Sequence, residues 1–485
     1  MLTFFEACVK YPDVSPFVIL KIDMQRRGFI MSRQAMCQIN CEKYQTKERT
    51  FSRELQENYP VSFMLRDGTS VITRPCFNGT IGIEPYVIDY KENNFVVSMS
   101  GIEIDEIYLW EKPDFYEKYT SKGTPMWHIA NARPQRLDIN PFQYCDFWKY
   151  GKGCRFCEIA STYNKVEKKP MLLDMMDIKE TVAEALKEKG RYTSIFLTGG
   201  CRIGGIKHFD DELNLYIEVL QIIGGFFSED KFPSQLIAAA YNKEQLKRLH
   251  DETGLMFYTS DIEVLNKELF AWICPGKNTF VGYEQWKQRL FQAVEIFGRG
   301  NVNTGIVGGV ELALPNGFKE EDEALEATLT EARELFENGV SVVSCVWRIA
   351  SGSLFAKQSL PSLDYYIKLS KGLRDVYKRQ ALGTAISLIV GNIIFMNWYY
   401  HARIGMNIFY FWREIAMLIP PLIVPCVLGV VIMKFANITG LVRLGILAII
   451  YTIVYGISMY LLGMNTEEKQ LVMEPIKKVL RKWYK

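Results

Sequence analysis

The sequence predicts an α/β protein: six strand-then-helix units that form a barrel or an open parallel sheet, preceded by a β-rich region and followed by three transmembrane helices. Three patterns carry this expectation. Short apolar runs alternate with amphipathic helical stretches from about residue 137 to 374, short alternating segments separated by turn signals fill about 60–112, and long apolar runs begin only after Ala381.

Residues 1–130 are expected to form the β-rich accessory region, with turns at Arg66-Asp67-Gly68 and Phe77-Asn78-Gly79. Cys37, Cys41 and Cys76 lie in it at spacings that match no metal template. Met1 to Leu20 carries Glu6, Lys10 and Asp13, which interrupt the apolar core a signal peptide needs. A reducing cytoplasm is therefore expected, where clustered thiols serve more often as metal ligands or catalytic groups than as disulfides; the chain has 11 cysteines. A net charge of +2 supplies no large single-sign field, so nucleic acid is not an expected partner.

Residues 131–374 form the expected catalytic core. Candidate strands are Leu137 to Ile139, Thr193 to Thr198, Leu236 to Ala240, Leu255 to Thr259, Asn303 to Val307 and Val340 to Val346. The intervening segments have helical periodicity: in Glu321 to Asn338, Leu325, Leu329, Ala332, Leu335 and Phe336 share one face and Gly339 ends the run. Repeated strand–helix units build a parallel sheet with helices outside it, and such folds gather their active sites at the C-terminal strand ends.

Immediately after the first of these strands, Cys145, Cys154 and Cys157 place three thiols within 13 residues. Three thiolates can hold three irons of a four-iron cluster and leave the fourth iron open. Zinc is the other reading, with a fourth ligand drawn from Asp146, Glu158, His128 or a distant cysteine. Spacing alone leaves both open.

Residues 135–370 resemble the radical S-adenosylmethionine superfamily, and within it the biotin and lipoyl synthase branch. The resemblance rests on ordered motifs: the cysteine loop with Phe156 before its last cysteine; Phe196-Leu197-Thr198-Gly199-Gly200; Tyr258-Thr259-Ser260-Asp261-Ile262-Glu263 followed by Ile273-Cys274-Pro275-Gly276; Arg289 in Gln288-Arg289-Leu290; and Thr304 to Glu311 containing Ile306 and Gly308. It implies a partial TIM-type (β/α)6 barrel and a 4Fe-4S cluster on Cys145, Cys154 and Cys157. It also implies S-adenosylmethionine held through the backbone at Gly199 and Gly200, a ribose contact from Glu263 with Asp261 second, a carboxylate contact from Arg289, and an adenine-side strand at Ile306 and Gly308. A flavodoxin- or ferredoxin-type electron donor follows from the same resemblance, as does radical hydrogen abstraction from a substrate that the motifs do not identify. Two features depart from the family. Eight residues separate Cys145 from Cys154 where three are usual, and Thr304 stands where glycine is usual. Cys201 is expected to be a buried structural thiol, and Trp347 and Arg348 are expected on the substrate side.

Asp375 to Gln380 match the in-frame translation of a transposase end sequence used in sequencing adapters, which implies a chimeric junction. Beyond it, Ala381 to Trp398, Ile415 to Met433 and Gly440 to Gly463 each approach the ~20 apolar residues that cross a bilayer. The basic residues Lys469, Lys477, Lys478, Arg481, Lys482 and Lys485 place the tail in the cytoplasm. This segment, 381–485, resembles the C-terminal end of a polysaccharide flippase of the oligosaccharide-exporter type, and the membrane is its expected partner. The competing expectation for the whole chain is a multipass membrane protein of polysaccharide export with a zinc-binding soluble domain.

Overall fold

The computed structural model describes residues 2–46, 59–60, 62–73, 75–76, 83–165, 171–388, 395–405, 407–417, 419–435, 441–464 and 468–473. The chain divides into two compact units, residues 1–380 and 381–485.

The first unit contains two sheets. Six strands, β1 (Phe29–Met31), β2 (Ser62–Leu65), β3 (Ser70–Ile72), β4 (Tyr86–Lys91), β5 (Asn94–Met99) and β6 (Ile102–Leu109), pair in the order β1-β4-β5-β6-β2-β3. All neighbouring pairs are antiparallel except β1 with β4. The helices Phe4–Lys10, Pro16–Arg27 and Arg33–Gln38, which the sequence reading did not anticipate, precede or flank β1. Ile19, Leu20 and Met24 of the second helix pack with Phe29, Phe63, Val71, Tyr86 and Ile88 in one apolar cluster. Tyr365, Tyr366, Ile367 and Leu369 join that cluster from the far end of the unit.

The second sheet has seven strands: β7 (Ala130–Arg133), β8 (Arg136–Ile139), β9 (Ser194–Leu197), β10 (Ser234–Ile237), β11 (Phe257–Thr259), β12 (Val302–Gly308) and β13 (Ser341–Val346). Spatial order follows chain order, and β8 to β13 are all parallel. These six are the six strands expected from the apolar runs. The antiparallel β7 was not expected: it is a hairpin partner of β8 across the tight turn at Pro134-Gln135, where Gln135 takes φ 63°. Helices Met175–Ala185, Asp210–Gly224, Lys243–Glu252, Tyr283–Phe297 and Glu321–Glu337 intervene between the parallel strands. The last ends at Asn338, and Gly339 turns out of it with φ 88°, the left-handed exit that glycine tolerates best.

In the second unit the expectation of three spans is corrected. One helix among the described residues, the stretch Gly445–Gly463, is long and apolar enough to cross a membrane. The expected span Ile415 to Met433 is broken: one helix covers Ile408–Met417 and another begins at Pro420. Pro420 and Pro421 explain the break, because proline lacks the amide hydrogen a continuing helix requires and disfavours helical backbone in the residue before it. The expected span Ala381 to Trp398 lies partly outside the described residues. The helix Leu363–Leu388 runs through the expected junction 375–380 without interruption.

Candidate thiol site at the strand ends

The cysteine loop leaves β8 and is sewn to three neighbours by backbone hydrogen bonds. The Asp146 amide donates to the Cys201 carbonyl (2.8 Å), the Arg155 amide to the Ile273 carbonyl (2.9 Å), and the Phe355 amide to the Arg155 carbonyl (3.1 Å). Arg348, just past β13, adds an ion pair to Glu158 at 2.8 Å. The eight-residue interval between Cys145 and Cys154 is not slack. It holds the helical turn Asp146–Lys149, whose buried Phe147 stacks on Phe280 at 5.8 Å.

The glycine pair after β9 explains itself sterically. A β-carbon on Gly200 would fall on the Tyr144 carbonyl oxygen and lie 2.6 Å from the Cys145 β-carbon; one on Gly199 would lie 2.7 Å from the Phe142 carbonyl oxygen. Glycine is required because the backbone of the cysteine loop passes directly over it. Gly276 is the mirror case on the other side of the loop: its amide donates to the Lys152 carbonyl at 2.9 Å, and a β-carbon would strike the Phe147 ring and that same carbonyl.

Two further thiols come with these contacts. Cys201 follows Gly200, and its thiol engages that of Cys145, which lowers the Cys145 pKa. Cys274 precedes Pro275, and its thiol engages that of Cys154; this contact and then burial push Cys154 well above the ordinary thiol range. Burial, and then the neighbouring Cys154, raise Cys157. Among the described residues no three His, Cys, Asp or Glu side chains converge as a single-ion site. Three thiols on one loop are a donor set that suits either an iron–sulfur cluster or zinc.

Glu263 is the strained member of the site. It has φ 72°, a left-handed conformation that costs a non-glycine residue about 1–3 kcal/mol and persists only where its surroundings hold it. Here its amide donates to the Gly305 carbonyl (2.9 Å) and its carbonyl accepts from the Val307 amide (2.8 Å), which pins it beside Ile306 of β12. The adjacent Asp261 accepts from the Gly305 amide at 2.7 Å, and Gly305 has no side chain because Asp261 occupies that space. Burial raises the pKa of both carboxyls.

The counter-charge is Lys277, which the sequence reading missed. Its buried ammonium donates to Glu263 Oε1 at 2.7 Å and to the Asp261 carbonyl, and sits 4.9 Å from the centre of the Trp286 ring. Burial alone would lower its pKa, but Glu263 and the thiols of Cys154, Cys274 and Cys201 hold it well above its ordinary value. The one available sequence signal was its position two residues after the quoted Cys274-Pro275 pair. Glu212 was also missed. It accepts from the Arg202 amide (2.7 Å), the Ala239 amide (2.8 Å) and the Tyr241 hydroxyl (3.0 Å), tying the segment after β9 to the segment after β10. Burial pushes its pKa to about 7.

The remaining expected residues are more dispersed. Arg289 reaches past β10 and donates to the Ala240 carbonyl at 2.7 Å. Ile306 lies in β12 beside Glu263, whereas a side chain on Gly308 would meet Ser344 and Leu369. Thr304 has a structural reason to replace glycine: its hydroxyl donates to the Ser260 carbonyl at 2.8 Å and accepts from the Ile262 amide at 3.0 Å. Trp347 is buried beside Phe355, and its indole nitrogen has no hydrogen-bond partner among the described residues.

Fold and site together define a parallel α/β protein whose thiols and buried charges gather at the C-terminal strand ends. No protein-family model matches the chain. Over 274 residues it is 24% identical to bacteriochlorophyllide c C-7(1)-hydroxylase of Chlorobaculum limnaeum, a match covering 51% of this chain and 64% of that protein. Among solved structures it is similar to methylornithine synthase (TM-score 0.36, 18% identity, 50% of this chain and 63% of that one). It is also similar to a radical SAM methyltransferase from Sphaerobacter thermophilus (TM-score 0.36, 16% identity, 51% and 66%). The chain thus spans less than two thirds of the length of each of these relatives.

Proposed function

We propose that residues 131–374 are the core of a radical S-adenosylmethionine enzyme, with Cys145, Cys154 and Cys157 holding a 4Fe-4S cluster. The observation that carries this reading is the three-thiol loop fixed over the ends of β8 and β9, with the strained Glu263 past the end of β11 in the same sheet. Gly199 and Gly200, Glu263, Arg289, and Ile306 with Gly308 are the cofactor-binding positions, spread along successive strand ends. A cluster held by Cys145, Cys154 and Cys157 would supply one-electron reductive chemistry toward S-adenosylmethionine bound beside it. The chain's own residues position the cofactor and exclude water: Glu263 is held for a ribose hydroxyl pair, Arg289 offers a planar donor to a carboxylate, and buried Trp347 presents an unused N–H on the substrate side. A cytoplasmic flavodoxin- or ferredoxin-type protein is the electron donor in this reading. Anaerobic reconstitution of the full chain with iron and sulfide tests it. About four irons per chain and 5'-deoxyadenosine after reduction are expected; one zinc and no nucleoside product would overturn it.

Residues 381–485 carry no activity in this reading. In this reading they have a separate origin, which rests on the string Asp375 to Gln380 alone, since the helix Leu363–Leu388 continues unbroken across it. Genomic amplification across codons 374–381 tests it: a product with the intact string makes the fusion natural.

A further inference from the structure

Two thiols outside the loop lie against two of its three, and the contacts are pairwise: Cys201 with Cys145 and Cys274 with Cys154. The pairing does not depend on the side chains alone. The bond from the Asp146 amide to the Cys201 carbonyl sets Cys145 beside Cys201, and the bond from the Arg155 amide to the Ile273 carbonyl sets Cys154 beside Cys274. The Cys145 β-carbon packs so close to the Cys201 segment that Gly200 admits no side chain between them. Among the described residues Cys157 has no such partner: its amide closes a turn onto the Cys154 carbonyl (3.1 Å), and its thiol carries no pairing contact of this kind.

We propose that Cys145–Cys201 and Cys154–Cys274 are two reversible disulfides of the cluster-free protein, a redox lock on the cluster site. Each forms by thiol–disulfide exchange with a small disulfide such as oxidised glutathione. One thiolate of the pair attacks the oxidant's sulfur and releases one thiol; the second attacks the mixed disulfide and releases the other. Two cysteine thiols are oxidised to one S–S bond, the oxidant is reduced to two thiols, and the protons pass to solvent or to the departing thiolates. With both bonds formed, Cys157 alone keeps a free thiol and no three-thiolate cradle exists. The sulfurs are then held off the irreversible sulfinic and sulfonic steps of oxidation. The order of closure follows exposure: Cys145 and Cys201 are half-buried, whereas Cys154 and Cys274 are buried, so Cys145–Cys201 closes first.

The loss of iron loading rests on the cluster reading above; the disulfides themselves do not. The test uses the full chain, purified in detergent without metal and exposed to oxidised glutathione. Free thiols are then alkylated, and cross-linked peptides are mapped by mass spectrometry at successive times. Cys145–Cys201 peptides followed by Cys154–Cys274 peptides, both lost on treatment with dithiothreitol, are the expected result. In Cys201→Ser the first bond is absent, and Cys145 is alkylated at least tenfold more than in wild type after the same exposure. Bonds among Cys145, Cys154 and Cys157, or five free thiols after exposure, overturn the proposal. Iron uptake before oxidation and after reduction is read separately, so a chain that forms both bonds yet never binds iron refutes the cluster reading and leaves the lock standing.

Discussion

Two buried ionic clusters in the same unit differ in every respect but burial. Asp23 lies on the N-terminal helix Pro16–Arg27 with both its arginines one turn away: Arg27 at 2.7 Å and Arg26 at 3.4 Å, with the Tyr86 hydroxyl at 2.8 Å. Arg26 also donates to the Pro361 carbonyl (2.6 Å), and Arg27 to the Glu84 carbonyl (3.1 Å). Glu263 meets one lysine from a separate helix, on backbone bent into the left-handed region. The first cluster sets its charges on one helix in relaxed backbone and ties them to distant segments, which is the signature of a fastener. The second brings a helix lysine to a carboxylate 14 residues before it against a conformational penalty, and such strain is retained where a site requires a side chain in one place.

That contrast breaks most sharply at Asp23. Asp23→Ala leaves two buried guanidinium groups without their carboxylate and should remove about 3–5 kcal/mol of stability, read by urea unfolding, with iron content of the folded fraction unchanged. Lost iron in that fraction would erase the distinction between fastener and site. Gly200→Ala should act in the opposite sense. Forcing a methyl into the loop backbone costs about 1–3 kcal/mol, and most of the reconstituted iron should disappear with it. Its control is Gly101→Ala in the β5–β6 turn, where φ is 78° and no atom lies within 4 Å of the new carbon; about 1 kcal/mol is expected there from backbone strain alone, with full iron loading.

The smallest effect is a slope. Glu212 has a pKa raised by burial to about 7. A carboxyl raised in the folded state favours its protonated form there, so its contribution is full below the ordinary carboxylate range and is lost as pH rises through 7. Unfolding midpoints should fall between pH 5 and 8, and Glu212→Gln should flatten that segment of the profile. An unchanged slope would mean that Glu212 does not titrate in this window.

The parallel sheet was legible because its strands are short apolar runs bounded by polar helices, a pattern set by burial on both faces. The antiparallel β7 was not, since Ala130 to Arg133 is too short and mixed to show a period. The helices Phe4–Lys10 and Pro16–Arg27 were missed although each begins at a legible signal: Thr3 caps the first with Glu6 in a reciprocal box, and Pro16 opens the second. The apolar content of 415–433 outweighed Pro420-Pro421 in the expectation, and backbone chemistry outweighed it in the fold. Within the site, Cys145, Gly199 and Glu263 were visible because thiol spacing, paired glycines and an acidic strand end are local patterns. Lys277 and Glu212 were invisible for a physical reason: each is an ordinary charge in an ordinary helix, and only the tertiary approach of other strands buries it.

In the proposed cluster reading, the helical turn Asp146–Lys149 alters the expected timing of metal insertion. Because Phe147 anchors that turn and neighbouring backbone closes the loop on both sides, the ordering entropy of the long interval is spent when the chain folds, before any iron arrives. Loading should then proceed at the pace of the iron donor, first order in that donor, with no slow conformational search beneath it.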